Sequence, residues 1–225
     1  MNRRMDFLSD LGFDLDDVDG LKKLLSPEVT LSDFLDELEY QESLKRRELF
    51  LHDEVNFASV SPLISQIQTY NRDDLGKPIN ERKPIFLHIY SGGGDVFSGN
   101  SLVSIIEASK TPIYTVNDGF AASMAGKIFI AGHIRYAIRN AVLMLHDGAL
   151  AIEGDASKVE DFMDFNREAK ERDESFTLQR STLSLEEYRN HLRDDWYMFP
   201  EYAKERGMVD IIIGEDCELD EILPT

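Results

Sequence analysis

A chain of 225 residues with 43 Asp and Glu against 24 Lys and Arg, a formal net charge of −19, is long enough for a substantial core. It is too acidic to grip a nucleic-acid backbone or an anionic membrane surface. Its single cysteine, Cys217, excludes an intrachain disulfide and a thiolate zinc cluster.

The basic pair Arg3-Arg4 is not followed by an apolar run of signal-peptide length, and no stretch reaches the ~18 apolar residues of a membrane helix. Together with the lone cysteine, this predicts a soluble cytoplasmic protein. Residues 1–45 read as an acidic N-terminal extension, partly helical or mobile; residues 1–40 hold eleven acids against Arg3, Arg4, Lys22 and Lys23. Phe7, Leu8, Leu11, Phe13, Leu15 and Val18 make only a weak amphipathic pattern. Ser26-Pro27 and the pair Thr30/Asp33 offer helix starts ahead of Phe34, Leu35 and Leu38.

From Arg47 the rhythm changes. Glu48 to Leu51 predicts a strand, Ser61 to Tyr70 a helix, Asn71 to Lys83 a loop, and Pro84 to Tyr90 a buried strand running into Gly92-Gly93-Gly94. Helix Val96–Ala108, strand Pro112–Val116, helix Ala121–Ala131 and strands Ile134–Ile138 and Ala141–Leu145 follow. A long charged helix covers Ser157 to about Leu183, shorter helices Leu185–Leu192 and Pro200–Arg206, and a last strand Met208–Ile213. Residues 214–225 read as an acidic C-terminal tail. Alternating strands and helices predict an α/β fold with a mostly parallel sheet.

Three turns at strand ends carry candidate chemistry. The glycine run presents backbone N–H groups that suit an oxyanion or simply make a tight turn. Gly92-Gly93-Gly94-Asp95-Val96-Phe97 lacks the last glycine of a dinucleotide fingerprint and the Lys-Ser/Thr of a phosphate loop, so neither nucleotide motif fits. In Gly119-Phe120-Ala121-Ala122-Ser123-Met124-Ala125-Gly126 a serine opens a helix among small neighbours. Alone, that serine reads as a packing residue; beside a base it is a nucleophile. Among His52, His88, His133, His146 and His191, His146 ends an apolar strand at the sheet edge where α/β proteins bind ligands. His52 reads as a half-exposed loop residue and His88 as a core or interface residue. The many Asp and Glu residues leave the partner of the base open.

Taken together, these blocks resemble the ClpP family of self-compartmentalising serine peptidases. Ile89 to Gly99 is similar to the family's glycine turn. Gly119–Met124 is similar to its Gly-x-Ala-Ala-Ser-Met motif, and Met144-Leu145-His146 to its Met-Ile-His motif. Asp195, with Phe199–Gly207 and Met208-Val209-Asp210, resembles its C-terminal aspartate block. The resemblance spans about residues 46–213. It implies the repeated β-β-α fold shared with crotonases and a long protruding handle helix at 157–183. It also implies Ser123 as nucleophile, His146 as base, Asp195 as orienting acid, and the N–H groups of Gly94 and Met124 as an oxyanion hole. No cofactor or metal is implied. The implied function is endopeptidase cleavage of peptides or unfolded proteins inside a homo-oligomeric, heptameric ring fed by an AAA+ unfoldase.

Some residues depart from the family pattern. Gly92 replaces a proline, Asp147-Gly148 replaces Gln-Pro, Ala149–Gly154 is glycine-poor where a substrate-holding strand is expected, and Arg193-Asp194-Asp195 replaces Asp-Arg-Asp. His88 replaces an aromatic of the unfoldase-docking surface. A similar Gly-Gly-Asp-Val turn in viral and prophage relatives makes a capsid-maturation protease one alternative. A non-catalytic assembly or regulatory subunit is another. The complete Ser-His-Asp set argues against that subunit and against a crotonase-type acyl-CoA enzyme.

Overall fold

The structure, a computed structural model, describes residues 31–148, 152–192 and 194–223. The weak pattern expected at residues 1–25 lies outside them. Two compact units meet in sequence at Arg47 and Glu48. In the first, helix α1 (Leu31–Arg46) carries Asp33 in its opening turn and Lys45 and Arg46 in its last, matching the helix dipole. Arg47, at φ 65, breaks it.

The second unit is a mixed α/β fold on a seven-stranded sheet. Strands β1 (Glu48–Leu51), β2 (Ile85–Ser91), β3 (Ile113–Ala122), β4 (Ile134–Ile138) and β7 (Ile211–Ile213) lie side by side in the order β1-β2-β3-β4-β7, all parallel. Two more strands branch from β3: β5 (Val142–Leu145) pairs with it in parallel, and β6 (Trp196–Met198) pairs with β5 antiparallel.

Helices α2 (Phe57–Asp73), α3 (Val96–Ala108) and α4 (Met124–Ile130) connect the early strands. Asn56 opens α2 with a capping box: its Oδ1 accepts from the N–H of Ala58 and Ser59, and Ser59 Oγ accepts from the Asn56 N–H. The cap starts the helix four residues before the expected Ser61. Val60, Leu63, Ile67 and Tyr70 then bury one helical stripe. Asp95 caps α3 through Ser98, and those hydrogen bonds hold its carboxyl below the usual range.

Because side chains alternate along a strand, Ile85, Leu87 and Ile89 share one face of β2 and are fully buried. On the same face of β3, Thr115 Oγ donates to the Phe129 carbonyl of α4 at 2.7 Å. The opposite face gathers Phe86, Val116, Tyr136, Ile213 and Ile222. Ile222, from the stretch read as an acidic tail, packs into this cluster. Helix α5 (Ala156–Gln179) has 24 residues and buries only Thr177. At 1.5 Å per residue it is about 36 Å long. Helices α6 (Leu185–His191) and α7 (Pro200–Glu205) flank β6.

Asp74, fully buried, ties the end of α2 to the approach of β3: Thr111 Oγ donates to its Oδ2 at 3.0 Å and Lys77 Nζ to its Oδ1 at 2.8 Å. Asp74→Ala strips a buried hydroxyl of its acceptor, and urea denaturation is expected to show a loss of about 2 kcal/mol. Asp74→Asn, which can still accept from Thr111, is expected to lose less. Equal midpoints for wild type and both variants would refute this role.

Candidate active site

Strand β3 is the only element that serves two parallel neighbours in succession among the described strands. Tyr114–Asn117 pair with β4, and Phe120–Ala122 pair with β5. The switch falls at polar residues. Asn117, 1% exposed, donates from Nδ2 to the Val142 carbonyl at 3.0 Å and accepts from the Gly119 N–H at 3.1 Å. After the switch β3 ends at Ala122, and Ser123 turns the chain into α4.

Ser123 has φ 54 and ψ −124, a conformation that non-glycine residues rarely adopt. Its N–H still bonds the Met144 carbonyl of β5 at 2.9 Å, so the ladder holds the turn from one side. Its carbonyl accepts from the Lys127 N–H, the first turn of α4, on the other. The elbow lifts the serine side chain clear of both elements.

His146 follows β5 directly. With Ala122 in register with Met144, the end of β5 lies beside the elbow, and His146 Nε2 sits 2.7 Å from Ser123 Oγ. The antiparallel pairing of β5 and β6 sets Leu145 opposite Trp196, so the residues just outside the ladder, His146 and Asp195, face one another. His146 Nδ1 lies 3.2 Å from Asp195 Oδ1. A carboxylate only accepts, so Nδ1 carries the hydrogen and Nε2 is left to accept from the Ser123 hydroxyl. Ser123, His146 and Asp195 are therefore brought into one chain of contacts. His146 is 27% exposed and Asp195 54%, which leaves the acid end open to water.

The glycine turn lies against the elbow. A Cβ on Gly93 would come within 2.8 Å of Ser123 Cβ and 2.9 Å of the Met124 nitrogen, and Gly93 has φ +96, so only glycine fits. Gly94 forms a parallel bridge with Val55, made by the Val55 N–H to the Gly93 carbonyl and the Asp95 N–H to the Val55 carbonyl. In such a bridge the middle residue's own N–H points the opposite way, here toward the β3 side of β2, where Ser123 and Met124 lie. The Gly93 N–H is taken by Ser91 Oγ at 3.2 Å.

The remaining histidines sit elsewhere. His88 Nδ1 contacts Asp118 at 3.0 Å and stacks on Phe50, while His52 approaches the same Asp118 at 3.4 Å; this is a separate cluster. His133 Nδ1 accepts from the Ile113 N–H, and burial pushes its pKa down. His191 stacks on Trp196. No group of three His, Cys, Asp or Glu side chains able to hold a metal occurs among the described residues. No described helix is long and apolar enough to cross a membrane. Of the expected substrate-holding segment, Ala149–Ala151 lies outside the described residues.

A cleft of about 410 Å³ opens at Ser123 and His146 and runs along α5 and α6, past Lys127, Asp173 and Tyr188. Burial pushes the Tyr188 phenol up to about 12, so it stays protonated. The sequence reading did not find these wall residues, because they come from three helices and share no motif.

The Clp protease family model matches residues 36–216. Two similar curated proteins are ATP-dependent Clp protease proteolytic subunits 1 of Prochlorococcus marinus. The one from subsp. pastoris strain CCMP1986 is 28% identical and the one from strain MIT 9312 is 27% identical. Each alignment runs over 178 residues, covering 78% of this chain and 88% of the relative. With most of its length matched by that model, on a sheet that sets a serine, a histidine and an aspartate in sequence at one edge, the chain belongs to the Clp protease family.

Proposed function

We propose that the protein is a serine endopeptidase in which Ser123, His146 and Asp195 act as nucleophile, base and orienting acid. The observation that carries this reading is the 2.7 Å contact from Ser123 Oγ to His146 Nε2, continued at 3.2 Å to Asp195. Ser123 Oγ attacks the peptide carbonyl while its proton passes to His146 Nε2. Asp195 holds the tautomer and stabilises the imidazolium. The oxyanion forms against the N–H groups of Gly94 and Met124, each worth about 3 kcal/mol in the transition state. As the C–N bond breaks, His146 returns the proton to the leaving amine, and water repeats the sequence on the acyl-enzyme.

Family membership and the relatives' description as ATP-dependent subunits support further steps. In this reading the chain forms a homo-oligomeric ring, heptameric as the resemblance implies, cleaves peptides or unfolded proteins inside it, and receives them from an AAA+ unfoldase in the cytoplasm. In the same reading residues 1–45 are an N-terminal extension of the peptidase domain.

Ser123→Ala is expected to abolish fluorophosphonate labelling and to lower peptide turnover by about 10⁶-fold, with the fold kept by circular dichroism. A mutant that is still labelled would refute Ser123 as nucleophile.

Asp195→Asn is expected to lower kcat by about 10⁴-fold, because the amide favours the wrong imidazole tautomer. Combining it with His146→Ala is expected to add little beyond His146→Ala alone, since the set acts as a unit. Full activity in Asp195→Asn together with loss in Asp194→Asn would move the acid one residue upstream.

Assembly carries its own test. Asp194 is exposed beside the site, in a chain of net charge −19. Where the family places an arginine that pairs across the ring–ring junction, this acid repels instead. Ring–ring association is therefore expected to tighten as salt rises, because screening shortens the reach of like charges. Sedimentation across a salt series reads it; a double ring indifferent to salt, or a monomer throughout, would refute it.

A further inference from the structure

The geometry points to the Lys127–Asp173 ion pair as the determinant of substrate side-chain specificity, favouring glutamine on the acyl side of the scissile bond. This rests on the peptidase reading above. Lys127 stands one turn after Ser123 on α4, and its N–H bonds the Ser123 carbonyl. Its side chain is 14% exposed, and its ammonium bonds Asn100 Oδ1 at 2.6 Å and Asp173 Oδ1 and lies over the Phe176 ring. Asp173, from α5, is 38% exposed. Both side chains line the cleft that holds Ser123 and His146. A side chain entering beside the nucleophile therefore meets a paired cation and anion.

The two charges decide what fits. Of the other charged groups along the cleft, Arg189 pairs with Glu174 and Lys170 with Asp147, Arg167 bridges to Asp164, and Glu171 adds a further acid; Lys127, Arg167, Lys170 and Arg189 stand against Asp147, Glu171, Asp173 and Glu174, so neither sign dominates. A lysine drawn to Asp173 is repelled by Lys127, and a glutamate the reverse. A leucine strips water from both charges and returns no hydrogen bond. A carboxamide carries an N–H₂ donor for Asp173 and a carbonyl acceptor for Lys127. Two of the three Lys127 N–H groups are used by Asn100 and Asp173, which leaves the third to donate, and no bond to Asp173 Oδ2 occurs among the described residues. Asparagine has the same chemistry on a shorter stem.

The test uses the full chain and internally quenched peptides that differ only in the residue before the cleaved bond: Gln, Leu, Lys or Glu. Fluorophosphonate labelling reports the nucleophile without reference to that residue, and thermal unfolding reports the fold. Wild type is expected to show kcat/KM at least about tenfold higher for Gln than for Leu, as one or two hydrogen bonds to charged groups allow. Lys127→Met frees Asp173 and is expected to move the preference to Lys. Asp173→Asn, nearly isosteric, frees Lys127 and is expected to move it to Glu. Should Lys127→Met fail to fold, the Asp173→Asn shift decides. A labelled wild type that prefers Leu, or a profile unmoved by the substitutions, overturns the specificity assignment and leaves the peptidase reading standing. Absence of labelling and of cleavage of every peptide in wild type overturns both.

Discussion

Everything at the site depends on the register of one four-residue strand. β5 touches β3 on one side in parallel and β6 on the other antiparallel. The parallel contact brings the end of β5 next to the Ser123 elbow, and the antiparallel contact brings Asp195 across from His146. A slip of one residue on either side would turn His146 to the opposite face of the sheet and break both contacts. The fold guards against such a slip with polar bonds at the ends of the strand. Asn117 fixes Val142 at its start, and the Asp147 N–H bonds the Leu192 carbonyl just past its end. Lys170 from the long helix then holds the Asp147 carboxylate at 2.9 Å. These groups touch no reacting atom, yet they position the residues that would.

How far this was legible in the sequence follows from the range of each interaction. The parallel sheet, helix Val96–Ala108 and strand Ile134–Ile138 stand where the local pattern puts them, because apolar periodicity is a local signal. β3 runs six residues beyond its expected end at Val116. Asn117, Asp118 and Gly119 look like loop residues until the buried Asn117 is seen to bond across to β5. Strand β6 was missed altogether. Three residues between a bend and Pro200 carry almost no periodic signal, and the strand exists because β5 offers it an open edge. Hence the aspartate could be reached only through family resemblance and not from first principles: its place opposite His146 is a consequence of β6. The serine and histidine, each at the end of a recognisable element, were readable more directly.

The elbow shows how local strain and packing work together. Holding a non-glycine residue at positive φ costs of order 1–3 kcal/mol, and it persists only where neighbours over-determine it. Ala121, Ala122 and Ala125 around Ser123 are essentially fully buried. Their small size lets β5 and the glycine turn approach the backbone closely, and the hydrogen bonds on both sides of Ser123 fix its two peptide planes. Larger side chains there would have to push β5 away, and with it His146. The run of small residues is therefore a geometric requirement of the contact between Ser123 and His146.

That same closeness explains why the cleft wall is polar. The elbow buries the inward face of α4, Ala125, Ile128 and Phe129, in the core, so Lys127 is the residue of its first turn left to face α5. Helix α5 is charged along nearly its whole length and buries only one residue, so the wall it offers is charged, with Asp173 the residue that meets Lys127. An unpaired lysine with 14% exposure would pay heavily for lost hydration, and Asn100, Asp173 and the Phe176 ring together replace that water. The pair thus follows from where the elbow puts α4 and from the charge of α5. It links the segment that holds Ser123 to the helix that walls the cleft, so a change in either charge is felt at both.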